Sequence, residues 1–300
     1  MYKGDIIDPH HHLWDLGTGW YPWLTTERPK EMVFGDPAPL ARDYLPADYR
    51  ADMAGVKPVK TVHIQGSGNR DDPVAETRWL EALHKEHGMP NGIVAFAPLD
   101  RPEADDVLAA QCEHPLTRGI RSIVSWHDNP VFNFNERDDL MRDVAWRAGF
   151  ALLRTYSLSF DLMLFPSQLG DALDLARAFP DTQIILNHTG SPVDRDAAGL
   201  ARWRHGMAAL SAAPNVAVKI SDLCAYDHAW TIDSFRPIIL DTIDWFGTGR
   251  CMFASDLPVI NLHGGAGRIY AAFKEIVGAF SPDEQHALFY GNAAKFYRLD

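Results

Sequence analysis

Short apolar, β-rich runs recur along the chain, and segments with helical spacing separate them. The runs fall at 5–8, 59–65, 92–98, 119–125, 158–164, 182–188, 215–221 and 250–256. Between them, 72–87 sets Val74, Trp79, Leu80 and Leu83 on one side, the spacing of an amphipathic helix. The segments 103–113, 138–156, 167–179, 196–213 and 232–246 follow the same rule, and 47–55 makes a shorter helix. Segments 268–279 and 282–297 predict the last helices, with Ser281 before Pro282 as an N-cap and first-turn pair. Strand–helix alternation repeated eight times predicts a parallel sheet, and eight such units close into a (β/α)8 TIM barrel. No linker, low-complexity run or short internal repeat divides residues 1–300, so one barrel domain is expected.

One stretch breaks the rhythm. Residues 14–49 hold Trp14, Trp20, Tyr21, Trp23, Phe34, Tyr44 and Tyr49 among five prolines, Pro22, Pro29, Pro37, Pro39 and Pro46. That many prolines exclude a long helix, and that many aromatics exclude a disordered linker. An ordered loop over one end of the barrel is expected, either a plug or a substrate lid.

Bulk properties narrow the partners. The net charge of −12 and the lack of a basic stripe argue against nucleic acid and anionic membrane surfaces. Cys112, Cys224 and Cys251 lack CxxC spacing and are odd in number, so neither a disulfide framework nor a zinc finger is expected. No stretch approaches the roughly 20 apolar residues of a membrane span. Asp5, Asp8 and Pro9 interrupt the place where a secretory signal would need an apolar run. A cytoplasmic protein is expected, acting on a small molecule; whether it is a monomer or a homo-oligomer is left open.

The active site of such a barrel lies where its strands end. Asp8-Pro9-His10-His11-His12 follows the first apolar run. Alternation turns His10 and His12 to one face and His11 to the other. Two imidazoles on one face of a strand end suit a divalent metal. Later ends bring Gln65, Arg121, the Ser125-Trp126-His127 exit, His188, Lys219 with Ser221, and Asp256. Each follows an apolar run, and a buried ionisable group there needs a partner or a metal. Read as a continuing strand, Arg121 shares a face with Ile123 and Ser125. Arg121 and Lys219 have two readings, as cations for a substrate oxygen or carboxylate, or as members of an ion pair inside the barrel. Gln65, Trp14 and Trp126 are placed to line a pocket.

The motifs Ile7-Asp8-Pro9-His10-His11-His12-Leu13-Trp14, Tyr21-Pro22-Trp23-Leu24, Asp72-Pro73-Val74-Ala75-Glu76-Thr77, Asn187-His188-Thr189-Gly190 and Ala254-Ser255-Asp256-Leu257-Pro258 occur in this order. In them the chain resembles the amidohydrolase superfamily, in particular its branch of sugar-acid and related lactonases. The resemblance implies a distorted (β/α)8 barrel with its site at the C-terminal mouth. It implies that His10, His12, His188 and Asp256 hold at most one divalent metal, with Arg121 and Asp161 standing where a second metal would need ligands. Zinc suits three nitrogens and one carboxylate, manganese is the alternative, and metal-independent catalysis stays open. The expected reaction is opening of a sugar-acid or similar lactone, with Asp256 and His188 catalytic. Two alternatives stand beside it: a non-hydrolytic decarboxylase of an aromatic or muconate-type acid, and a barrel that binds a sugar acid without turnover.

Overall fold

The structure, a computed structural model, describes residues 2–69 and 71–299. Eight parallel strands form one sheet in sequential order: β1 Ile7–His11, β2 Lys60–Ile64, β3 Gly92–Ala95, β4 Thr117–Arg121, β5 Ser159–Leu162, β6 Ile184–Leu186, β7 Val216–Ile220 and β8 Cys251–Phe253. Helices α1 Pro46–Asp52, α2 Ala75–His87, α3 Ala104–Cys112, α4 Val144–Thr155, α5 Leu169–Ala178, α6 Ala197–Leu210, α7 Ile232–Phe246 and α8 Ala266–Ile276 follow successive strands. This is the (β/α)8 architecture that the alternation predicts.

The seam between β1 and β8 is closed by the residues just past β8. The Asp256 N–H donates to the His10 carbonyl at 2.8 Å, and the His12 N–H donates to the Leu257 carbonyl at 2.7 Å. The last ladder of the barrel is therefore made at the mouth, from residues of the first and last strand exits.

The main core packs the outer face of the strands against the helices, with Trp146, Phe150 and Phe160 stacked in one part of it. A second core fills the barrel near its N-terminal end, where Ile7, Val62, Ile185, Ala217 and Met252 meet Phe296 and Tyr297. Those aromatics come from α10 Asn292–Tyr297, which follows α9 Pro282–His286 through the π-turn Ala287–Gly291. The sequence predicts one helix over 282–297; the π-turn interrupts it, and such bulges re-aim the residues that follow. Likewise 138–156 divides into the 3-10 turn Leu140–Arg142 and α4. Asp143 ends the turn and caps α4, accepting the Ala145 and Trp146 N–H groups at 2.9 and 3.0 Å.

Segment 14–49 is ordered, as its composition requires. Trp14 and Tyr44 exchange backbone hydrogen bonds at 3.0 and 2.9 Å, and Trp14, Tyr21, Leu24, Phe34 and Tyr44 are buried. It touches three loops that leave the C-terminal ends of strands. Trp23 Nε1 donates to the Gly66 carbonyl at 3.0 Å, the Phe34 carbonyl meets His263 Nε2 at 2.8 Å, and Gly35 lies against His228. Among the described residues, no helix is long and apolar enough to cross a membrane.

Candidate active site

The histidine stretch is aimed by a bulge. β1 pairs with β2 as Ile7↔Lys60 and Asp8↔Thr61, then as His11↔His63, so one extra residue of β1 is accommodated between Asp8 and His11. Pro9, which has no N–H for a ladder, sits inside the bulge. Asp8 and His11 consequently face outward onto the same residue of α1. The Tyr49 hydroxyl donates to Asp8 Oδ2 at 2.8 Å, and its ring lies 4.5 Å from the His11 ring. His10 and His12 turn inward, as alternation predicts, although β1 runs on to His11 where the sequence suggests an end at Asp8.

Asp256 faces them across the seam. Its Oδ1 lies 3.0 Å from His10 Nε2 and 3.1 Å from His12 Nε2. It occupies the left-handed region at φ +73°, and neighbouring residues hold it there. The Ser255 N–H donates to Asp8 Oδ1 at 2.8 Å, while the Ser255 hydroxyl reaches Asp8 Oδ2 at 2.7 Å and accepts the Leu257 N–H at 3.0 Å. His188, Thr189, Ser191 and Asp222 are also left-handed non-glycine residues, so three successive strand exits leave through conformations that cost on the order of 1–3 kcal/mol each.

His10, His188 and Asp256 each present a ligand atom, all within 4.8 Å of one another and all buried. His12 joins them through Asp256. The His12 Nδ1 lies 2.7 Å from the Ile64 carbonyl, which can only accept a hydrogen bond, so Nδ1 carries a hydrogen there and Nε2 is the atom turned toward Asp256. Nε2 and Asp256 Oδ1, 3.1 Å apart, call for a proton or a cation between them. His188 Nδ1 is similarly held by Ser221 Oγ at 3.0 Å, the outer-shell contact that orients a metal-binding imidazole. His10 Nε2 is buried and makes no aligned hydrogen bond. Burial pushes the His188 pKa down to about 3 and that of His10 well below its ordinary value, so both rings are neutral, the form that binds a metal. The donor set fits one divalent ion.

Beneath His10 runs a polar column. Lys219 Nζ lies 3.3 Å from His10 Nδ1 and forms an ion pair with Asp161, and Asp161 accepts the Tyr297 hydroxyl at 2.9 Å and the Asn187 amide at 2.9 Å. Of the two readings for Lys219, the structure seats it in the ion pair inside the barrel. Burial draws its pKa down to about 8 against the opposing pull of Asp161.

Arg121 is also buried, and its guanidinium donates to the Gln65 carbonyl. Its Nε has no partner, and no ion pair forms on it among the described residues. β4 stops at Arg121, so the expected shared face with Ile123 and Ser125 does not form; Ser125 is buried in the exit, its hydroxyl unpartnered. The Gln65 side chain turns back onto the Ser67 N–H at 2.6 Å. Trp14 packs near the His12 ring and donates to the Arg42 carbonyl at 2.8 Å. Trp126 is half-buried on the β4 exit, its N–H held by Gln168 Oε1 at 3.0 Å. Gln65, Arg121, Asp222, Asp256 and His12 keep 3–6% of their surface, which marks a narrow opening, while His10 and Lys219 keep none.

Sequence reading missed Asp222. It lies one residue past Ser221, and its side chain hydrogen-bonds to Asp256. Burial, and then the charge of Asp256, push its pKa well above the carboxylate range. Burial also acts upward on Asp256, but its contacts with His10, His188 and His12 prevail and hold it well below that range. Paired carboxyls driven apart in this way divide into one acid and one carboxylate. The signal available was a second Asp at a strand exit.

The model of the amidohydrolase family matches residues 7–299. An uncharacterized protein of Sinorhizobium fredii, y4mH, is 42% identical over 294 residues, 98% of each chain. The L-fucono-1,5-lactonase of Burkholderia ambifaria is 27% identical over 308 residues, 98% of this chain and 96% of that one. A crystal structure of an amidohydrolase from Burkholderia multivorans with bound zinc aligns with a TM-score of 0.82 at 25% identity, covering 99% of this chain and all of that one.

Proposed function

Because this chain belongs to the amidohydrolase family, we propose that it is a hydrolase that opens a lactone ring, of a sugar acid or similar small carboxylic acid, with water activated by Asp256. The observation that carries the reading is the Asp256 carboxylate, ionised, fixed at the strand exit and ringed by His10, His12 and His188. The similarity to proteins named L-fucono-1,5-lactonase supports the substrate class.

Water beside Asp256 gives a proton to the carboxylate as its oxygen bonds to the lactone carbonyl carbon. Positioned general-base catalysis of this kind contributes roughly 10²–10⁴-fold. Arg121, with Nε unpartnered, donates to the oxygen that gains charge, beside His188. The tetrahedral centre then expels the ring oxygen, which takes the proton back from Asp256, and the product is the open hydroxy acid. His10, His188 and Asp256, with His12 beside them, would hold the divalent ion, zinc or manganese. When bound, that ion supplies Lewis-acid polarisation of the carbonyl and a lower pKa for water. Lys219 and Asp161 fix His10 from below. Gln65 and Trp126 stand on the β2 and β4 exits, and Trp14 begins segment 14–49, which we assign as the cover of the mouth. The acidic surface fits a cytoplasmic enzyme of small-molecule catabolism that engages neither nucleic acid nor membrane.

The test is a pH-indicator screen over aldonolactones and muconolactone-type rings, with chelator and with added zinc or manganese. Acid release by the parent, reduced at least ~10²-fold in Asp256→Asn, is expected. Absence of acid release from every ring, with carbon dioxide evolved from aromatic or muconate-type acids instead, would replace this reading with decarboxylation.

A further inference from the structure

The peptide unit joining Gln65 to Gly66 is held at both ends. Its carbonyl accepts from the Arg121 guanidinium, and its N–H donates to the Glu76 carboxylate, at 3.1 Å to Oε1 and 3.3 Å to Oε2. A peptide bracketed between a cation and an anion is polarised along its dipole, so each contact strengthens the other. This carbonyl is the only hydrogen-bond acceptor for the Arg121 guanidinium among the described residues. Apart from its charge, which also acts on Arg121 directly, Glu76 has no other link to the catalytic groups among the described residues and no part in the proposed chemistry.

The same carboxylate takes a hydroxyl from above, Tyr21 Oη donating to Oε1 at 2.9 Å, and Trp23 Nε1 donates to the Gly66 carbonyl at 3.0 Å. The fit is close. A Cβ on Gly66 would come within 3.1 Å of the Tyr21 ring and 3.2 Å of Glu76 Oε1, and one on Gly68 within 3.1 Å of the same ring. A shift in Glu76 therefore passes to the Gln65–Gly66 peptide instead of being absorbed by slack.

We propose that Glu76 is a positioning residue for Arg121, acting through the Gln65–Gly66 peptide, and that Tyr21 ties the seating of the aromatic segment to the same carboxylate. Burial raises the Glu76 pKa to about 7, opposed by the Gly66 N–H, the Tyr21 hydroxyl and the Arg121 charge. Tyr21 from the segment and Arg121 from β4 are the ionisable groups that face it; the Tyr21 hydroxyl, pushed well above its ordinary value, stays protonated. Ionisation of Glu76 near neutrality tightens the bracket, so Arg121 is held better as pH rises through about 7.

The first test does not depend on the lactone reading. In protein labelled with ¹⁵N-arginine, the Arg121 Nε–H resonance, assigned by its loss in Arg121→Lys, is followed from pH 5.5 to 8.5. A shift with a midpoint near 7, abolished in Glu76→Gln, is expected. Glu76→Gln keeps an oxygen acceptor and close to the same volume, and its circular dichroism spectrum establishes that it folds. The same titration in both proteins would overturn the proposal. The second test uses whichever lactone the parent opens and rests on that reading. Glu76→Gln is expected to lower kcat about tenfold with KM within twofold, which is about 1.4 kcal/mol of transition-state stabilisation, and to add nothing in an Arg121→Ala background. An effect of Glu76→Gln that persists undiminished in that background would overturn the coupling. Failure of every lactone with the resonance shift intact would strike the reading and leave the inference standing.

Discussion

A buried charge is stable only while its partner is present. Lys219 and Asp161 have no exposure, and the column that contains them ends on His10. Lys219→Met leaves Asp161 with only the Tyr297 and Asn187 donors, and removing one member of a buried pair typically costs 3–5 kcal/mol. Urea unfolding is expected to show a loss of about that size, with much of it restored when Asp161→Asn is added to the same chain. The strand-end rule picked out His10, His12, His188, Arg121 and Asp256, which the structure buries at the strand exits, because each follows an apolar run. It missed Asp222, which alternation counts as past the strand, and it left Lys219 with two readings. Only depth within the barrel separates those readings, and depth depends on how far the neighbouring strands are staggered, which no single strand encodes.

At the scale of elements, periodicity located every strand and most helices, since burial on one face or on both is written directly in the residue order. Irregular features escaped it. The β1 bulge makes Asp8 and His11 share a side despite odd spacing, and Pro9 was its one visible mark. β4 ends four residues early because Ser122 onward turns away to form the exit, where apolar composition continues without a ladder. Helix docking was equally unreadable. In α4, Gly149 lies directly against the backbone of Leu99, closer than any Cβ could approach. Gly149→Ala should improve intrinsic helix propensity by about 1 kcal/mol yet lower the melting temperature, since the backbone clash forces α4 outward at a cost of roughly 1–3 kcal/mol or more. A melting temperature at or above that of the parent would show that the loop at Leu99 yields.

For the molecule as a whole, closure of the barrel and assembly of the site are one event. The two hydrogen bonds that close the seam lie on His10, His12 and Asp256, the residues that would grip a metal. A divalent ion bound there stabilises the closed form by about 2.7 kcal/mol at a hundredfold excess over its Kd. Added zinc is therefore expected to raise the melting temperature of the parent by several degrees and to leave His10→Ala/Asp256→Ala unmoved; an equal rise in both would place the ion elsewhere.

The seam also fixes when the protein can work during its own synthesis. His12 and Asp256 are separated by 244 positions, and the intervening seven strands must emerge before they meet. On a ribosome-bound chain His10 and His12 emerge seven strands ahead of Asp256. If the proposed centre carries the activity, the appearance of turnover on a nascent chain would time the instant at which the barrel shuts.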